Sequence, residues 1–238
     1  MSSRKQARRF FSRVEVAPAE GQGFRILLDG RSLLTRGRVP LMVSGEKLAE
    51  AIAEEWRAQQ EVIRPQTMPL TQIVNTVIDR TGPYRREGIE ELMRFAGTDL
   101  VCYRATEPES LVRRQTEAWE PLLDWVRDRF GVRLTVTRTI LPVAQPEGAL
   151  SALRNVLLRY DDYRLAAVQI TAGATGSLVL SLALVEGHLG AEEVFVASQL
   201  DELWQSELWG VDEVARCRRD SLRLEIAGVA GFLVLAVA

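Results

Sequence analysis

A chain of 238 residues can bury one sizeable core or two small ones, and 47% hydrophobic with 26% charged residues is an ordinary globular balance. The 30 Lys and Arg against 32 Asp and Glu leave a net charge of −2, which argues against a general nucleic-acid binder, since that function needs a broadly basic surface. One histidine, His188, and two distant cysteines, Cys102 and Cys217, cannot form a clustered zinc site; the cysteines are expected to be buried thiols in a reducing compartment.

In chain order, residues 1–8 read as a basic tail. MSSRKQARRF lacks the apolar core of a secretory signal and is short for an organellar transit peptide, which favours the bacterial cytoplasm, or the mitochondrial matrix if the chain is eukaryotic. Residues 9–82 read as a small β-rich domain with a covering helix. RFFSRVEVAP alternates, with Phe11, Arg13 and Glu15 on one side and Phe10, Val14 and Val16 partly on the other. Asp29-Gly30 between two apolar runs predicts a hairpin, because a type I′ turn needs positive φ at both central residues. A second turn falls at Arg36-Gly37-Arg38. Ser44 is placed to cap a helix running to Gln59, with Leu48, Ala51, Ile52 and Trp56 at helical spacing and Trp56 as a structural core anchor. TQIVNTVIDR, residues 71–80, continues as a short helix on which Asn75 and Asp79 share a face, either as a polar pair in a cleft or as a cap and solvent face. Gly82-Pro83 marks the domain boundary.

Residues 83–238 read as a larger all-helical orthogonal bundle, so the fold class is α+β. Ile89, Leu92, Met93 and Ala96 form one stripe, and Leu111, Gln115, Trp119, Leu122, Leu123, Val126 and Phe130 a longer one, in which Pro121 predicts a kink or two abutting helices. VRLTVTRTI, residues 132–140, has the local signal of a strand, or of an extended connector. Leu150, Leu153, Val156, Leu157 and Tyr160 predict another helix, after which Asp161 or Asp162 can cap the next. At the C-terminus Val214, Cys217, Ser221, Leu224, Gly228 and Phe232 step along a last helix with an apolar tail.

The chain is organised around residues 171–213. Gly176–Val185 is almost purely apolar and predicts a buried helix; Gly187 can end it in the left-handed conformation, and Ala191, Glu192 and Glu193 suit the first turn of its successor. Leu165 to Val185 carries no charge, so a membrane span is the competing reading, though its strongly apolar part has the length of a core helix. The stretch closes on two tryptophans among acids. There Asp201, Trp204 and Glu207 share a helical face, which predicts either an aromatic protein-recognition platform edged by carboxylates or a packed Trp pair with a solvated acidic rim. A metal-dependent enzyme using the carboxylates of Asp201–Glu213 is a further alternative. No Gly-x-Ser-x-Gly, phosphate loop or dinucleotide fingerprint occurs, and the Glu-x-x-His pairs of a di-iron centre are missing, so catalysis and cofactors are not expected.

Several segments, in one order, carry a resemblance: RFF-x-x-VEV, GFRILLDGRSLLT, AIAEEW, MPLTQIVNTVID, AGTDLVCYRA, WEPLLDW, GSLVLSLAL and LDELWQSELWG. Together they resemble, over nearly the whole chain, the assembly chaperone of the mitochondrial and α-proteobacterial F1-ATPase that attends the α subunit. The resemblance implies a β-rich N-terminal domain followed by a helical orthogonal bundle, no enzymatic activity and no cofactor. It implies binding of unassembled F1 α subunit by a monomer, without membrane insertion. It also assigns partner binding to Asp201, Glu202, Trp204, Gln205, Glu207, Trp209 and Gly210, with Glu207 foremost.

Overall fold

The computed structural model describes residues 7–19, 21, 23–139 and 141–236. Among the described residues two compact units emerge, one of those up to Pro83 together with those from Gly231 onward, the other within Tyr84–Ala230. Of the tail expected over residues 1–8, residues 1–6 lie outside those described. Ala7 and Arg8 are paired: Ile63 N–H donates to Ala7 O at 2.9 Å, and Arg8 forms a β-bridge with Val62.

The first unit holds an antiparallel sheet of β1 (Val14–Pro18), β2 (Phe24–Leu28), β3 (Arg31–Ser32) and β4 (Met42–Val43). β2 is its centre. One edge pairs with β1, Val14 opposite Leu28, and the other takes β3 at one end and β4 at the other. Asp29 and Gly30 have φ of 48° and 78°, as a two-residue hairpin of this hand demands. The Asp29 carboxylate also accepts from the N–H groups of Ser12 and Arg13. The strand begins only at Val14, so the alternation read from Phe10 onward does not hold: Phe11 is buried and Phe10 is 70% exposed. α1 (Glu46–Arg57) covers the sheet with Leu48, Ala49, Ile52 and Ala53. Its N-cap is Gly45, not Ser44, and it stops before Gln59, whose side chain turns in to Glu55 O, Thr67 Oγ1 and the Arg64 N–H.

α2 (Pro69–Thr76) starts at a proline whose missing N–H is one of the helix's unpaired donors anyway. Its next free donors are met by Glu55, which accepts from Leu70 N, Thr71 N and Thr71 Oγ1 at 2.7, 2.8 and 2.7 Å. Burial is the main influence on Glu55 and raises its pKa, with Thr71 and Leu70 pulling the other way. The helix expected over 71–80 is not continuous; Val77–Thr81 widens into a π-helical turn.

In the second unit, α3 (Arg85–Gly97), α4 (Glu109–Phe130), α5 (Glu147–Arg159), α6 (Asp162–Thr175), α7 (Leu178–Val185), α8 (Ala191–Ser198) and α9 (Leu200–Trp209) precede α10 (Glu213–Ala236), which starts here. α7 is apolar on every side and buried from Leu178 to Leu184, with α3, α4, α6 and α8 around it. The uncharged run of 165–185 is two helices: α6 ends at Gly176, with φ 72°, and Ser177 caps α7 by accepting from Leu180 N–H at 3.0 Å. Among the described residues no helix is long and apolar enough to cross a membrane. Gly187 has φ 69° and α8 opens at Ala191, as the pattern predicts. Asp161 caps α6, its carboxylate accepting from Arg164 N–H at 2.7 Å.

The start of α7 is also held by a distant acid. Asp99 is 0% exposed and accepts from Ser177 Oγ at 2.6 Å, Val179 N at 2.9 Å and Val101 N at 3.2 Å. Burial dominates its titration and pushes its pKa up to about 6, the Ser177 hydroxyl and backbone N–H groups opposing.

Two expectations need correcting here, the buried Cys217 and part of the stripe on α10. Pro121 is exposed and lies inside the single helix α4, which is not two abutting helices. Of the two readings of 132–140, strand or extended connector, the described residues 132–139 follow the connector, with one parallel bridge, Tyr103 with Thr137; Ile140 lies outside the described residues. Cys102 is buried, its thiol pushed up to about 12, but Cys217 is exposed. On α10 the buried residues are Ile226, Val229 and Phe232, whereas Val214 and Leu224 are 75% and 73% exposed.

Candidate functional site

α9 carries the acidic, aromatic segment. Leu200 and Trp204 turn inward, at 8% and 9% exposure, and the helix packs on α4 and α8. The two faces have separate tasks. Asp201 accepts from Gln115 Nε2 at 2.8 Å, and Gln115, itself 1% exposed, receives Ala105 N–H on its Oε1 at 2.7 Å. Asp201 is thus tied into the unit. Trp204 is not half of an open platform: its ring meets Trp209 edge-on at 6.0 Å from the inner side.

The outer side is apolar and open. Leu208, Trp209, Val211 and Val214 are 56%, 74%, 55% and 75% exposed and follow one another around the α9–α10 corner. Gly210, at φ 85°, ends α9 and turns the chain, and Asp212 accepts from Ala215 N–H at 3.0 Å to start α10. Glu202, Gln205 and Glu207 stand exposed beside this strip. Glu207 forms a two-pronged pair with Arg114 of α4, at 2.9 and 2.7 Å, and the Arg114 hydrogen bond holds its carboxyl below the usual carboxylate range.

Behind Trp209 lies a cleft of about 740 Å³ between α9 and α10, walled by Glu202, Gln205, Trp209, Arg218, Leu222 and Glu225. Burial in it raises Glu225. A single exposed aromatic beside a cleft with both signs of charge suits a polypeptide surface. Among the described residues no three His, Cys, Asp or Glu side chains are grouped to hold a metal ion. His188 stands exposed in its turn and stacks on Trp125, ring centroids 4.6 Å apart and 7° from parallel.

The second pair read from the sequence is split. Asp79 accepts from Thr35 Oγ1 at 2.6 Å and from Gly37 N–H at 2.8 Å, fastening the turn at 36–38. A Cβ on residue 37 would lie 2.7 Å from that carboxylate, so a larger residue there would displace the Asp79 clamp. Asn75 has no part in this and lines a separate pocket with Trp56, which is half-buried with its ring edge-on to Phe11. Asp99, Glu55 and Arg114 escaped the sequence reading. The one available signal was an acid immediately before an apolar run, as in Thr98-Asp99-Leu100-Val101.

As a class, this is an α+β protein with a small antiparallel sheet under a covering helix and a helical bundle around a buried apolar helix. Crystal structures share the arrangement. Atp12 from Paracoccus denitrificans superposes with a TM-score of 0.90 at 39% identity over 97% of this chain and 98% of that one. A protein from Agrobacterium tumefaciens gives 0.90 and 39% over 96% and 85%. The mitochondrial Atp12 of Schizosaccharomyces pombe is 27% identical over 94% of this chain and 81% of its own length. The family model of the ATP12 chaperone protein matches residues 8–127. The chain belongs to the ATP12 chaperone family.

Proposed function

We propose that this chaperone serves F1-ATPase assembly by binding the unassembled α subunit through the α9–α10 corner, shielding a subunit interface until the hexamer forms. The observation that carries the reading is the run of Leu208, Trp209, Val211 and Val214, apolar and more than half exposed throughout. Contiguous exposed apolar surface on a folded chain marks an interaction site, and Trp is the residue most enriched among interface hot spots. An unpaired subunit of an oligomer carries the complementary hazard, an apolar interface that self-associates. Glu202, Glu207 and Asp212 around the strip supply the charge that sets register. In this reading no bond is made or broken, no cofactor is needed, the working form is a monomer, and its place is the bacterial cytoplasm or the mitochondrial matrix.

Co-expression with F1 α subunit tests it. The soluble yield of α should rise with this chain, and purified components should associate at micromolar concentration. Glu207→Lys, which sets a cation beside Arg114, should weaken association while leaving the melting temperature nearly unchanged, since both partners are exposed. Absence of association with the wild-type chain would overturn the proposal.

A further inference from the structure

The small unit carries a pocket that the α9–α10 surface leaves unused. It is about 190 Å³, well below the ~300–1,000 Å³ of small-molecule sites, and so has room for one residue and not for a cofactor. Leu34, Ile63 and Met68 give it apolar walls; Trp56 and Asn75 also line it. Leu34 is 50% exposed, whereas Ile63 and Met68 are buried.

Two polar atoms here are unsatisfied. Trp56 Nε1 and Asn75 Oδ1 are both buried, and neither has a hydrogen-bond partner. The nearby hydroxyls bond elsewhere: Thr71 Oγ1 donates to Glu55, and Thr35 Oγ1 donates to Asp79 and accepts from Val39 N–H. A buried donor or acceptor without a partner is destabilising, and native proteins carry few of them. Here the residues that carry one orphan donor and one orphan acceptor line the same small pocket. That pairing is the complement of an amide, whose C=O accepts and whose N–H donates.

We infer that this pocket receives one amide of a bound polypeptide, with Trp56 Nε1–H donating to its carbonyl, Asn75 Oδ1 accepting from its N–H, and Leu34, Ile63 and Met68 holding the adjoining apolar side chain. The inference rests on the reading of this chain as a polypeptide-binding chaperone and adds to it a second contact, on the sheet-bearing unit. Asn75 and Trp56 are then recognition residues; Asp79 remains the clamp of the neighbouring turn.

The test exploits opposite signs. Asn75→Leu and Trp56→Phe in the full chain each remove a buried unpaired polar atom, so the melting temperature should hold or rise. Affinity for purified F1 α subunit should nonetheless fall about tenfold or more, because the bound amide then loses its partner. Affinity within about twofold of wild type for both variants would overturn the inference. A second measurement separates its failure from that of the proposed function. Wild-type chain with ¹⁵N-labelled tryptophan is titrated with millimolar N-acetylleucine methylamide. The Trp56 indole N–H resonance should shift downfield, and Asn75→Leu should suppress the shift. An unmoved resonance overturns the inference even where α subunit binds; a moved one supports it even where α subunit does not.

Discussion

Replacing Asp99 by Asn should produce a stability difference whose size depends on pH. Asp99 is wholly buried, and its pKa stands at about 6 against an ordinary 3.8. The folded chain therefore binds this proton more tightly than the unfolded one. Its contribution is most favourable where both states are protonated, declines as pH rises from about 4 to about 6, and is constant above that. The gap of two units corresponds to about 3 kcal/mol at neutral pH. Asn does not titrate, so the wild-type advantage over Asp99→Asn should shrink by about 3 kcal/mol between pH ~4 and ~7. Asn has a cost of its own: Val179 N–H donates to one carboxylate oxygen, Val101 N–H and Ser177 Oγ to the other, so the amide NH₂ must face a donor. That mismatch costs about 1–3 kcal/mol at any pH. The variant should thus be clearly weaker in acid and close to wild type at neutrality. Urea denaturation of both chains across that range, followed by circular dichroism, measures the difference. A gap that is flat or widens with pH would mean that the donors outweigh burial, and the account of the α7 anchor would be wrong.

Trp209→Ala should weaken association with F1 α subunit by about 2 kcal/mol, roughly thirtyfold, as read by calorimetric titration. Its melting curve should barely move, because the side chain is largely in solvent. Asp79→Ala removes the acceptor of Thr35 Oγ1 and Gly37 N–H and should destabilise the first unit by about 2 kcal/mol, with faster amide exchange confined to the turn at 36–38. Glu55→Ala leaves the first N–H groups of α2 without their acceptor and should cost about 1–2 kcal/mol in chemical denaturation, with a loss at neutral pH smaller than in acid because burial raises the pKa of Glu55.

What the sequence disclosed is what neighbouring residues decide among themselves. The Asp29-Gly30 hairpin, the Asp161 cap and the stop at Gly187 depend on a few consecutive dihedrals and one short hydrogen bond. The apolar run of α7 announced its own burial. Asp99 with Ser177 is 78 positions apart and Arg114 with Glu207 is 93, and no local pattern carries such pairings. Periodicity named α10 as a helix and placed Phe232 rightly in the core, but it put Val214, Cys217 and Leu224 on the same stripe, where Ile226 and Val229 are the residues buried with Phe232. Trp204 and Trp209 are alike in composition. Which one turns inward is decided by where α9 sits on α4 and α8, so the sequence marks the candidate site as a segment and not as a surface.

The Arg114–Glu207 pair means that the acid at the rim of the exposed strip already has a counter-ion before any client arrives. An incoming cation could reach it only by evicting Arg114, so one ion pair would be swapped for another. Such a trade leaves little net electrostatic gain. Adhesion would then come from the greasy corner, while the charge exchange keeps both forward and reverse steps shallow, which is what a temporary escort requires.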